Sequence, residues 1–180
     1  MKNRIRRMAL SLVLSIALLV SFAAPALAAN PTVAITVTAE VIAITNTQAT
    51  WDIGTVALDA VVYFSTDGVQ DDDWSAIENT GSVVVDVAIQ GTDIAGTTYD
   101  WTLSTAAGSE AYSLYANDDD TPTVYDIEVK SSVYSDLATS FAVDDTKAWS
   151  MEFTAPSAFN AGDTGDEKSA TITLVASASA

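Results

Sequence analysis

The sequence predicts an all-β protein, an antiparallel β-sandwich of jelly-roll or Ig-like type, following an N-terminal signal peptide. Three observations predict it. Short runs of β-branched and aromatic residues alternate with polar ones at period two, as half-buried strands do. Clusters of Gly, Asn, Asp and Ser separate these runs at short intervals. Long segments with βαβ spacing are missing, which argues against a parallel sheet.

The elements follow in order. Residues 1–28 read as the leader: Lys2, Arg4, Arg6 and Arg7 precede an uncharged apolar stretch, and Ala26-Leu27-Ala28 supplies the small-x-small cleavage pattern. The apolar stretch is nearly long enough to cross a membrane, so an uncleaved anchor is the alternative. Residues 29–180 are expected to form a single domain. The run 32–45, "TVAITVTAEVIAIT", sets Val33, Ile35 and Val37 on one face against threonines on the other. In "GSVVVDVAIQG" (81–91), Val83, Val85, Val87 and Ile89 share a face opposite Asp86. "YDWTLS", "AYSLYA", "TVYDIEVK", "KAWSMEFTA" and "KSATITLVAS" repeat the pattern. One short helical turn is expected in "SVYSDLATSF" (132–141), where Val133 and Leu137 stand four apart. Trp51, Trp74, Trp101 and Trp149 lie in or beside predicted strands and are expected to anchor the core.

Charge narrows the function. Four of the seven basic residues lie in the leader and none of the 24 acidic ones do, so the remainder keeps three basic residues against 24 acidic, a net charge of −21. Nucleic acid and anionic lipid are therefore not expected as partners, and no membrane contact is expected beyond the leader. With no Cys, an exported chain of this kind must hold its core without disulfides. With no His, Ser-His-Asp and Cys-His catalysis cannot be assembled, and the commonest zinc ligand is missing. No phosphate-cradling glycine loop occurs, and no two of the acids stand out as a glycosidase pair. An enzyme is not expected.

The acidic loops raise the one cofactor question. "GVQDDDWSA" (68–76) and "LYANDDDTPTVYDIEV" (114–129) concentrate aspartates between strands. The second fails as an EF-hand loop. Counting from Asn117, position six is Pro122, where the bend requires Gly, and Glu128 at position twelve reads as mid-strand. A looser calcium site would draw Asp71, Asp73, Asp118 and Asp120 from separate loops at one end of the fold. "NAGDTGDEKS" (160–169) adds Asp163, Asp166 and Glu167. Clustered carboxylates with little neutralising charge would suit a hard cation, whereas solvated turns are the plain alternative. No organic cofactor is expected.

Two stretches carry a resemblance. In "WSAIENTGSVVVDVAIQG" (74–91) one apolar run ends at Asn79-Thr80-Gly81-Ser82 and another begins at once, as in a tight hairpin. "WSMEFTAPSAFNAGDTGDEKSATITLVAS" (149–177) looks like a closing hairpin. Together these resemble exported sandwich proteins of the biofilm-fibre and camelysin type, and are similar to Ig-like surface modules. The fibre resemblance implies an extracellular jelly-roll that polymerises, the N-terminal strand of one subunit completing the sheet of the next. The matching segment here is Asn30 to Thr45, guarded only by Glu40; pairing within its own sheet is the alternative. The protease activity carried by the camelysin name is not transferred, because no His is present to hold a zinc. The sequence thus reads as a secreted, non-catalytic cell-surface or matrix structural protein acting by self-association. The alternative is a binding module, calcium-dependent or not, for a glycan or protein partner, presenting Trp74, Tyr112, Tyr115 or Tyr125.

Overall fold

A computed structural model describes residues 36–64, 75–118, 124–163 and 165–180. The leader, Asp71, Asp73, Trp74 and Asp120 lie outside the described residues. The chain divides after Thr38, and Ala39–Ala180 is one compact unit.

The described residues are all-β, without a helix. The strands are β1 (Ile44–Asn46), β2 (Val61–Tyr63), β3 (Ser75–Asn79), β4 (Val85–Gln90), β5 (Thr102–Leu103), β6 (Ala111–Asn117), β7 (Ile127–Glu128), β8 (Ser135–Phe141), β9 (Thr146–Thr154) and β10 (Thr173–Ala178). They form two sheets. Seven strands run β1-β3-β9-β6-β5, with β2 on β9 and β7 on β6; three run β10-β4-β8. The nine-residue β9 is the spine of the larger sheet. Its Thr146–Trp149 half pairs with β3, and its Ser150–Thr154 half lies between β6 and, from Glu152, β2.

Alternation places the core. Val85, Val87 and Ile89 are fully buried, while Asp86 and Ala88 between them are only partly so. They join Ile77, Leu114, Ala116, Leu137, Phe141, Trp149, Met151 and Phe153 in one buried cluster drawn from both sheets. Each large side chain so buried contributes about 1.5–3 kcal/mol. Trp101 and Trp149 are buried as expected, and Trp51 is half-buried against Phe64, ring centroids 5.2 Å apart.

Four expectations are corrected. Residues 132–141 are not a helical turn, since 135–141 form β8. Two register shifts against β4 put two β8 residues in excess, and Ser140 takes φ 53°. These bulges bury Leu137, Ala138 and Phe141, a spacing that imitates a helix face. Nor is Asn79–Ser82 a hairpin turn. β3 belongs to the larger sheet and β4 to the smaller, so the segment is a crossover. Asn79 is completely buried and caps it: its Nδ2 donates to the Val83 and Phe141 carbonyls at 2.9 and 3.0 Å, and its Oδ1 accepts the Gly81 N–H at 3.0 Å. Gly81 is required by proximity, because a Cβ there would lie 2.3 Å from the Val41 carbonyl. In the same way, 149–177 is no closing hairpin, since β9 and β10 sit in different sheets. Finally, the pairing is not antiparallel throughout: β5 runs parallel to β6, Thr102 opposite Ala111. The ladder is two residues long, and residues 104–110 connect its strands, with Glu110 at φ 55°.

Val33 and Ile35 of the long N-terminal run lie outside the described residues; within its described part the strand is Ile44–Asn46, paired with Ile77–Asn79. Ahead of it, the Val41 and Ala43 carbonyls accept the Ser82 and Thr80 N–H groups. Residues 36–40 form no strand, and Val37 is 85% exposed.

Candidate functional site

Of the acids expected to hold calcium, Asp118 is described, and it is bound to Lys147 at 2.8 Å on the surface. Asp71, Asp73 and Asp120 are not described, so their convergence is not either. Among the described residues, no group of three or more His, Cys, Asp or Glu side chains could hold a metal ion.

Asp163 and Asp166 do come together, on a cation the sequence reading passed over. Lys168 lies 2.8 Å from Asp163 Oδ1 and 2.9 Å from Asp166 Oδ2, and donates to the Tyr99 carbonyl at 2.5 Å. Its ammonium stands 5.1 Å from the centre of the Trp101 ring, which stacks on Phe159 with centroids 5.1 Å apart. All three side chains of the ion cluster are almost wholly covered. The Thr97 hydroxyl and backbone N–H both donate to Asp166 Oδ1. Gly96 closes over the cluster, where a Cβ would lie 2.6 Å from Lys168 Nζ and 2.5 Å from Asp166 Oδ2.

Burial alone would raise the Asp163 pKa, but Lys168 and the Asn160 N–H outweigh it and hold the carboxyl below its usual range. The Thr97 hydroxyl, then Lys168, hold Asp166 well below its usual range too. Burial opposes the charge on Lys168, and its two aspartates raise it nonetheless. The ammonium donates to Asp166 Oδ2 and to the Tyr99 carbonyl and lies within ion-pair distance of Asp163, so its charge is neutralised within the fold. The cluster is a latch joining the 94–101 hairpin to the 160–168 loop.

A pH dependence follows. Both carboxyls titrate lower folded than unfolded, so their stabilisation is complete above about pH 4 and fades as pH falls through the folded values. The double variant Asp163→Asn/Asp166→Asn is expected to show a flatter loss of melting temperature between pH 5 and pH 2 than the wild type. Parallel profiles from calorimetry would contradict this assignment.

The outer face of the larger sheet offers a second arrangement. Tyr63, Glu152, Tyr115 and Glu128 stand in register across β2, β9, β6 and β7. Tyr63 stacks on Tyr125 at 5.6 Å, and Tyr125 accepts a hydrogen bond from Ser150 at 3.0 Å. Burial among these rings pushes the Glu152 carboxyl up from its ordinary value. The Tyr115 hydroxyl donates to the Thr105 carbonyl at 2.7 Å. Beside it opens a shallow cleft of about 300 Å³ walled by Ser104, Thr105, Glu128, Lys130, Ser131 and Ser132, among others. Tyr112, by contrast, is a core residue whose hydroxyl donates to the Thr92 carbonyl. It is therefore withdrawn from the ring set expected to meet a glycan. The row was hidden from sequence reasoning because its members come from four separate strands.

No family model, curated protein or solved structure matches the chain.

Proposed function

We propose that the protein is an exported, non-catalytic structural component of the cell surface or extracellular matrix that acts by self-association. The two sheets are read as halves of one β-sandwich, because a single buried cluster draws on both. One observation carries the functional reading. Ahead of β1, the β-prone residues 36–42 hold Val37, Val41 and Ile42 out to solvent, with Glu40 as their single charge. Val41 is already bonded to Ser82, but an exposed, β-prone stretch that forms no strand over residues 36–40 is a template for pairing between chains.

The test is a mature protein lacking residues 30–37. Static light scattering is expected to show loss of the large assemblies formed by the full mature chain. The melting temperature is expected to hold, since Ala39–Ala180 is compact by itself. Assemblies that persist in the truncated protein would remove this role for the segment.

A second reading is an adhesion module for a glycan or protein partner, with calcium held by Asp71, Asp73, Asp118 and Asp120. The row of Tyr63, Glu152, Tyr115 and Glu128 favours it, because tyrosine rings stack on sugars while carboxylates accept their hydroxyls. Calcium on that set would have to displace Lys147 from Asp118.

A further inference from the structure

The smaller sheet treats its two outer strands differently. β8 carries two register shifts, a residue at positive φ and the exposed Asp136. These are devices that stop an edge from pairing. β10 has none of them. Thr173–Ala178 pairs residue for residue with Val85–Gln90 without a shift, and contains no charge, Pro or Gly.

Its outward side can be identified. The N–H groups of Thr171 and Ser179 both point towards the β4 side, to Thr92 Oγ1 and the Val84 carbonyl, each at 3.0 Å. In a regular ladder the direction alternates, so the N–H and C=O groups of Leu174, Ala176 and Ala178 face away from β4. Among the described residues, no strand pairs with that side.

Charge and side chains specify the occupant. The chain carries −17 overall, yet residues 169–180 include no charged side chain. A second acidic copy meets no repulsion from this strip itself. Leu174 and Ala176 pack inward, while Val175 is 40% exposed between Thr173 and Ser177. A two-fold through Val175 would set it against its own copy and Thr173 against the copy's Ser177, an apolar pair flanked by hydroxyl pairs.

We infer that β10 pairs antiparallel with β10 of a second copy, Val175 opposite Val175, joining two three-stranded sheets into one of six. This deepens the self-association reading and rests on it.

The chain has no cysteine, so single cysteines report this contact cleanly. In the mature protein, Val175→Cys is expected to convert under mild oxidation mainly to a covalent dimer, with loss of the monomer band. Thr173→Cys and Ser177→Cys are expected to stay monomeric when oxidised singly and to cross-link when mixed, because only then do their Cα atoms come within disulfide reach. Asp136→Cys on β8 serves as the control. If the wild type associates by light scattering but Val175→Cys dimerises no faster than the control, the β10 contact is overturned and self-association stands. If the wild type is monomeric at every concentration and no variant cross-links, both fall. If Val175→Cys cross-links only with Val37→Cys, the edge belongs to the N-terminal segment of another copy, and the two-fold is overturned.

Discussion

Replacing Asn79 with alanine is expected to lower the unfolding free energy by about 3 kcal/mol. The side chain is wholly buried at the crossover between sheets, and each of its three hydrogen bonds serves a different segment. Phe141 lies in β8, Val83 leads into β4, and Gly81 is the close approach to Val41. Alanine strands two carbonyls and one N–H, and a stranded buried group costs roughly 1–3 kcal/mol. Partial access of water to the Val83 side keeps the total below the sum. Asn79→Asp is expected to be at least as damaging, since it replaces the donor to two carbonyls with a negative acceptor. Urea unfolding checks both through the midpoint. A loss under about 1 kcal/mol for the alanine variant would show that the crossover does not depend on this cap.

Trp149→Ala is expected to cost about 3–5 kcal/mol. Trp149 is buried on β9, the spine of the larger sheet, with its ring 5.5 Å from Phe64. Its indole N–H donates to Asn46 Oδ1 at 3.0 Å, and the same oxygen accepts the Ser75 hydroxyl at 2.7 Å. Alanine opens a large cavity beside Phe64. Trp149→Phe keeps most of the apolar volume and leaves Asn46 its bond from Ser75, so about 1–2 kcal/mol is expected. The gap between the two variants, read from denaturant midpoints, separates packing from the hydrogen bond. Equal losses would mean that the Asn46 contact, not the ring, dominates.

The all-β character and much of the core were legible in the sequence, because alternation at Val85, Val87 and Ile89 writes burial directly into residue order. The connections were less so. A Gly and an Asn between two strands look the same whether the chain turns back or crosses to another sheet; the difference is the burial of Asn79, a tertiary fact. β8 misled because bulges change the period of burial from two to something near a helix. Among the acids, "GDEKS" was read for its carboxylates, while the lysine beside them decided their chemistry. That signal was present: only Lys130, Lys147 and Lys168 follow the leader, and each is salt-bridged to an acid. The row of Tyr63, Glu152, Tyr115 and Glu128 depends on register across four strands, which residue order alone does not state.

Self-association is tested most directly by negative-stain electron microscopy of the mature protein, with added calcium and with chelator. Fibres or sheets are predicted. Their appearance with calcium alone would give the acidic loops a metal role, and their appearance in both conditions would leave those loops as solvated turns. Dispersed single particles in both conditions at high protein concentration would contradict the structural role and favour the binding module.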